Sequence, residues 1–316
     1  MARSIAQRSV GGRVDFPIEL WALKWWPTWC VVAIFASLGR APYFVRDVLG
    51  RCLGYVLFHT MRRRRTIAEV NIALCFREQP RKWRREVLRG HFIELGIALF
   101  ETAAAWVQPF ASLGKHSQFR GGEHVDHALA RGQGVILIAS HTCALEMTTV
   151  LGALRVRVSA IYRRNKNPVI EHVTCKGRTR AGTRLIDRED MRAVLASIRN
   201  NEVLWISPDQ DHGVSSGAFV EFFGNRAATV TSPARLASRT GASVLMMLSR
   251  RLPGRAGYEI EISPPLQDFP GADLQAATRR LNRIFEQQTY LAPAQYLWVH
   301  RRFKTRPPAC KPVYAD

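Results

Sequence analysis

The sequence predicts an α/β fold, a central mostly parallel or mixed sheet flanked by helices, with a helical N-terminal part that carries a membrane-anchoring helix. Three observations predict it. Short β-branched apolar runs, GVILIAS at 134–140 and EVLWIS at 202–207 among them, have the composition of strands buried on both faces. Stretches of helical periodicity alternate with them, the pattern of a sheet covered by helices. Residues 20–38 (LWALKWWPTWCVVAIFASL) form an apolar run interrupted only by Lys24, Thr28 and Ser37.

At ~1.5 Å per helical residue this run reaches roughly 28 Å, about one hydrocarbon core. Trp21, Trp25, Trp26 and Trp29 suit a bilayer interface, and Lys24 lies close enough to the end to snorkel. Residues 1–42 are therefore expected to be a leader and single anchor, which either spans the bilayer or lies in its interface; a Trp-rich amphipathic or buried helix with Pro27 at or near its start is the alternative. The heavier basic total after the run places the main body, 43–316, on the cytoplasmic face. Residues 43–61 carry a helical pattern that ends before Arg62-Arg63-Arg64-Arg65, a solvated face or a lipid-headgroup contact. Residues 66–76 read as a short amphipathic helix. Pro80 fits the first turn of a long helix to about Val107, with Pro109 beyond. Within it, 96–106 suits either ordinary core or the wall of an apolar groove. A break near 109–120 separates this helical part (43–110) from an α/β part (111–316). There the strands are expected at 134–140, 156–162, 202–207, 243–249 and 258–262. The helices are expected at 143–153, 168–180, 189–199, 230–240 and 272–291.

The 316 residues carry 46 Lys and Arg against 25 Asp and Glu, a net charge of +21. Such a chain expects acidic partners: nucleic acid, anionic lipid, a phosphorylated substrate or an acidic protein. A composition that is 47% hydrophobic and 22% charged excludes a mostly disordered chain. The six cysteines are widely and unevenly spaced with no C-x-x-C pair, which reads as free thiols, not a disulfide framework or zinc site.

Two segments carry the chemistry. His141 directly follows the apolar strand 134–140, where ligands bind open α/β sheets, and Glu146 lies five residues on in the first turn of the next helix. If the chain folds back there, Glu146 accepts a hydrogen bond from one imidazole nitrogen and leaves the other as a base. The bland alternative is a satisfied strand-end histidine and a glutamate favoured by a helix N-terminus. The second segment, Ser207-Pro208-Asp209-Gln210-Asp211-His212-Gly213, also follows a strand. Its carboxylates suit a cation, a sugar hydroxyl or an arginine, and a plain turn accounts for its composition equally. Between the two lies a basic set that includes Arg163 and Arg178, suited to phosphate or carboxylate recognition, although a solvated surface role accounts for any single member more readily. Gly213-Val-Ser215-Ser-Gly217 matches the serine-hydrolase elbow in letters alone, because no helix follows it.

His141-x4-Glu146 resembles the H-x4-D/E motif of glycerolipid acyltransferases. WISPDQDHG at 205–213, FFGNRAATVTSPARLASRTGA at 222–242, QYLWVHRRFKTRP at 295–307 and NIALCF at 71–76 resemble segments of the lipid A secondary (late) acyltransferases, in order and over nearly the whole chain. The lauroyl-transferring branch is the nearest in pattern. The resemblance implies transfer of an acyl chain from acyl carrier protein to a hydroxyl of a 3-hydroxyacyl chain on the Kdo-bearing lipid A precursor. This is lipopolysaccharide biosynthesis at the inner membrane. It implies His141 as general base with Glu146 orienting it, and no acyl-enzyme. By position it puts Arg178 on a substrate phosphate or the developing oxyanion, Asp209 on that arginine or a sugar group, and Arg163 among the substrate-binding residues. No cofactor is expected beyond acyl carrier protein as co-substrate, and no metal. The acidic carrier, the phosphorylated acceptor and the anionic inner membrane all suit a +21 chain. A secondary acyltransferase with another acceptor or chain length is the alternative. A membrane-anchored nucleic-acid-binding protein would account for the charge but lacks any supporting motif. Acyl-chain length is not legible, since one bulky side chain in the groove sets it.

Overall fold

A computed structural model describes residues 17–314 except 116, 216 and 309. The apolar run at the N-terminus does not form one helix. Two 3-10 turns, Ile18–Trp21 and Leu23–Trp25, precede α1 (Trp26–Gly39), because Ala22 is extended and Pro27 suits only a helix's first turn. The 14 residues of α1 span about 21 Å, short of a hydrocarbon core of about 30 Å. Among the described residues no helix is long and apolar enough to cross a membrane. This corrects the expected single spanning anchor; the leader, 1–16, lies outside the described residues. Trp29 folds back and donates its indole N–H to the Leu20 carbonyl, closing the segment on itself.

Helices α2 (Tyr43–Thr60), α3 (Arg62–Cys75) and α4 (Arg81–Val107) follow. The arginine run is the first turn of α3, four residues ahead of the expected start. Arg64 donates to the Val299 carbonyl and Arg65 to that of Phe58. Helix α2 lies against α4 through glycines: a Cβ on Gly50 would stand 2.6 Å from the Ile97 Cα, and one on Gly54 2.5 Å from the Ile93 Cα. The backbones touch, so no side chain fits between them.

After α5 (Phe110–Gly114), β1 (Ser117–Arg120) and α6 (Gly122–Leu129), the alternating part begins with β2 (Val135–Ala139) and α7 (Leu145–Ala153). It continues through β3 (Val158–Tyr162), α8 (Pro168–Thr179), β4 (Arg184–Asp187), α9 (Met191–Arg199) and β5 (Val203–Ile206). A separate antiparallel hairpin, β6 (Gly217–Phe222) with β7 (Asn225–Val230), precedes α10 (Ser232–Thr240), β8 (Ser243–Arg251), β9 (Tyr258–Ile262) and α11 (Leu274–Leu291). Short polar side chains start three of the helices. Asn167 accepts from Val169 N and Ile170 N, Asp190 from Ala193 N and Asp273 from Gln275 N.

The seven-stranded sheet has the order β1-β9-β8-β2-β5-β3-β4, parallel except for β8 against β9. This is the α/β sheet the sequence predicts. Alternation along the strands divides the core between two faces. Ile136, Ile138, Leu204 and Val244 pack with α3, α9, α10 and α11. Val135, Leu137, Ala139 and Leu245 pack with α6 and α7 on the other face. Helix α4 serves both, through Leu88 and Phe92 on the first side and Ala104 and Ala105 on the second.

Candidate active site

Strands β2 and β5 are parallel neighbours, so their carboxyl ends finish together. Ser140-His141 leaves one and Ser207-Pro208-Asp209 leaves the other, which brings residues 68 positions apart into contact. The Asp209 carboxylate takes two hydrogen bonds from His141: Oδ1 accepts from ring Nδ1 at 2.6 Å and Oδ2 from the backbone N–H at 2.9 Å. Asp209 is 1% exposed, whereas His141 keeps an edge on solvent. Burial opposes the imidazolium, but Asp209 outweighs it and holds the His141 pKa above its ordinary value, with Arg178 pulling the other way. Burial likewise opposes the Asp209 carboxylate; the His141 contacts and the charge of Arg302 overturn it and hold that carboxyl below the ordinary range.

Glu146 does something else. In the first turn of α7 its two oxygens accept from Arg178 Nε at 3.0 and 3.1 Å, and Arg178 Nη2 bonds Oε1 as well. Trp106, on the last turn of α4, donates its indole N–H to the same carboxylate at 3.4 Å. Burial works against the Arg178 charge, and Glu146 more than offsets it, so its pKa is raised. The expected partners are therefore exchanged: Asp209, not Glu146, orients His141, and Glu146, not Asp209, holds Arg178. The reason is geometric. Residue 146 is already helical and points toward α8, while the β5 loop alone reaches the Nδ1 edge of the ring.

His141, Glu146 and Arg178 line a cavity of about 600 Å³ on the α7–α8 side of the sheet, within the usual size of a ligand site, with Asp209 buried behind the histidine. Thr102 and Trp106 of α4 line it while Ala103, Ala104 and Ala105 are buried, so the 96–106 stretch is both core and wall. Arg163 is exposed on the lining just past β3, and Arg188, Gln210 and His212 complete the basic and polar side. Asp211 is not part of the pair chemistry. It accepts from Thr305 N at 2.6 Å and Thr305 Oγ1 at 2.8 Å, and its own N–H is donated to His300 Nε2. It ties the loop to the C-terminal segment, as Leu297 N does by donating to the His141 carbonyl. Burial drives the His300 pKa down to about 4, which keeps that ring neutral and able to accept. Among the described residues no three His, Cys, Asp or Glu side chains converge as a metal site.

Sequence reasoning reached Trp106 only as part of the 96–106 wall and missed Arg188 and Trp205 at the cavity. Trp205 opens the WISPDQDHG segment and was within reach of motif reading, while Arg188 lies outside every segment singled out.

The cavity thus sets a carboxylate-bonded histidine beside a clamped arginine. A profile for bacterial lipid A biosynthesis acyltransferases matches residues 13–305. The chain belongs to this family. Escherichia coli K12 lipid A biosynthesis lauroyltransferase is 33% identical over 285 residues, 90% of this chain and 93% of that protein. The palmitoleoyltransferase of the same organism is 32% identical over the same shares. A lipid A biosynthesis acyltransferase of Haemophilus influenzae is 31% identical over 96% of this chain and 98% of its own length. Members of the acyltransferase family with different acyl names thus align over the same region, and identity at this level does not choose among them.

Proposed function

We propose that this acyltransferase moves a fatty acyl chain from acyl carrier protein to a hydroxyl of a 3-hydroxyacyl chain on the Kdo-lipid A precursor, at the cytoplasmic face of the inner membrane. The observation that carries the reading is His141, bonded from behind by the buried Asp209, on the wall of a cavity that also holds the Arg178–Glu146 clamp. With Nδ1–H donated to Asp209, the Nε2 lone pair is left to accept the acceptor hydroxyl's proton. The freed oxygen attacks the thioester carbonyl, a tetrahedral oxyanion forms, and its collapse breaks the C–S bond. The imidazolium proton passes to the departing thiolate, so His141 ends neutral. General-base help of this kind supplies ~10²–10⁴ in rate, with electrostatic stabilisation of the oxyanion in addition. Asp209 stabilises the imidazolium. Glu146 fixes the Arg178 fork toward a substrate phosphate or the oxyanion, and Arg163 at the rim meets an acidic donor or acceptor. No cofactor is required in this scheme.

The apolar outer surface supports membrane contact without a span. Trp21, Leu23, Trp26, Val31 and Ile34 in the N-terminal segment and Phe44 on α2 are all more than half exposed. Beside the +21 charge, that surface suits an anionic bilayer face.

The test is acyl transfer by purified protein in detergent, with acyl carrier proteins of graded chain length and the tetra-acylated Kdo-bearing acceptor, read by mass spectrometry. Transfer by wild type and not by His141→Ala supports the reading. Transfer that survives in His141→Ala overturns the base, and no transfer with any donor overturns the donor–acceptor assignment.

A further inference from the structure

Trp205 stands between two spaces. It lines the active-site cavity, and with Thr149 it also lines a second, much smaller void of about 10 Å³ beneath α7. Its strand partners are Leu137 on β2 and Ala160 on β3, so the ring projects from the sheet face that α7 and α8 cover. Leu137, Met247 and Ile262 make the second void apolar, and Gly152 of α7 leaves room in its roof. The indole Nε1 is buried with no acceptor among the described residues. Packing alone holds the ring, and its removal strands no hydrogen-bond partner.

The geometry points to Trp205 as the residue that ends the acyl pocket and so sets the chain length, an inference that rests on the acyl-transfer reading above. Leu137 lies level with Trp205, and His141 is four residues further along the same strand direction, about 13 Å at ~3.3 Å per residue. Carbon–carbon bonds of about 1.5 Å at angles near 111° advance an extended chain by about 1.25 Å per carbon. A chain whose thioester carbonyl sits at His141 therefore meets the indole after about ten carbons. Beyond the ring an apolar space already exists but is too small to hold a chain end while the indole is in place. The other cavity walls near the reacting groups carry Arg163, Arg178 and Arg188, poor neighbours for a methyl terminus.

The experiment is a donor-length profile. Wild type, Trp205→Ala, Trp205→Leu and the double variant Trp205→Ala/Gly152→Leu are each given an equimolar series of acyl donors, and the products are sorted by mass. The inference expects the preferred donor to lengthen by about two to four carbons in Trp205→Ala, by less in Trp205→Leu, and to return toward wild type in the double variant. There the added side chain refills the void; a Cβ on Gly152 has only Met247 Sδ near it, at 4.0 Å. Trp205→Leu keeps an apolar side chain in the layer and carries the test if the alanine variant does not fold. An unchanged length preference in a folded, active Trp205 variant overturns the inference and leaves the acyl-transfer reading intact. Absence of transfer by wild type with every donor overturns both.

Discussion

Asp209→Asn is the most informative single change at this site. The side chain keeps its shape, but the two oxygens that accept from His141, at 2.6 Å from Nδ1 and 2.9 Å from the backbone N–H, become one oxygen and one NH2. The amide cannot serve both donors. Either the His141 backbone N–H faces an NH2 group, or the ring takes the other tautomer and turns a protonated Nε2 toward the substrate. The first outcome leaves a buried donor unsatisfied at about 1–3 kcal/mol. The second abolishes the base; carboxylate-to-amide changes in triads of this kind lower kcat by about 10⁴, which is about 5 kcal/mol in the barrier. The sign of the pH effect also follows. Asp209 is what raises the His141 pKa, while burial and Arg178 lower it. Residual activity in the variant should therefore keep its acid limb at lower pH than wild type. Kinetics across pH with the acyl donor saturating give both quantities, and ¹⁵N shifts of the imidazole give the tautomer directly. A variant that retains more than a tenth of kcat with an unmoved acid limb would refute the assignment of Asp209 as the partner of His141.

Further outcomes follow from the site and from the packing around it. Arg178→Lys loses the fork to Glu146 and should cost about 10–100-fold in kcat/KM, whereas Glu146→Gln should leave the acid limb of the rate profile near its wild-type position because His141 is held elsewhere; a large shift of that limb would put Glu146 back on the histidine. Arg251 bonds Glu94 and Glu101 in the interior, so Arg251→Met should destabilise by about 3–5 kcal/mol in denaturant unfolding. Burial already raises the Glu94 pKa, so protonation neutralises the stranded Glu94 carboxylate readily, and that deficit should shrink as pH falls toward the carboxylate range. Gly50→Ala drives a methyl into the α4 backbone and should cost about 1–3 kcal/mol, read as a lower unfolding midpoint. Val31→Glu with Ile34→Glu on α1 should weaken binding to anionic vesicles in flotation assays by at least tenfold while leaving the far-UV spectrum unchanged, the two side chains being exposed.

Much of the fold was legible because its signals are local. The runs at 134–140 and 202–207 appear as β2 and β5 within a residue or two, and Pro168 and Pro80 mark the starts of α8 and α4 closely. Strands β4 and β7 carry too little apolar patterning to stand out: Arg184 and Arg226 are exposed, and long-range pairing makes the structure. The N-terminal run misled for a related reason. Its hydropathy is that of a span, and although Pro27 marks a helix start, hydropathy does not register the extended Ala22, which with the helix start at Trp26 divides the run.

The candidate site divides in the same way. Residue type and position after a strand singled out His141 with Glu146 and the Asp209 segment, because a strand's carboxyl end is where an α/β sheet presents groups to a ligand, whereas Arg178 stood out from its basic neighbours only through the family resemblance. Which carboxylate serves which cation was decided by tertiary structure. The parallel registry of β2 with β5 sets Asp209 against the histidine ring, and the packing of α7 on α8 gives Glu146 to Arg178. Sequence spacing records distance along the chain, whereas a hydrogen bond of 2.6 Å depends on where two strands end in space.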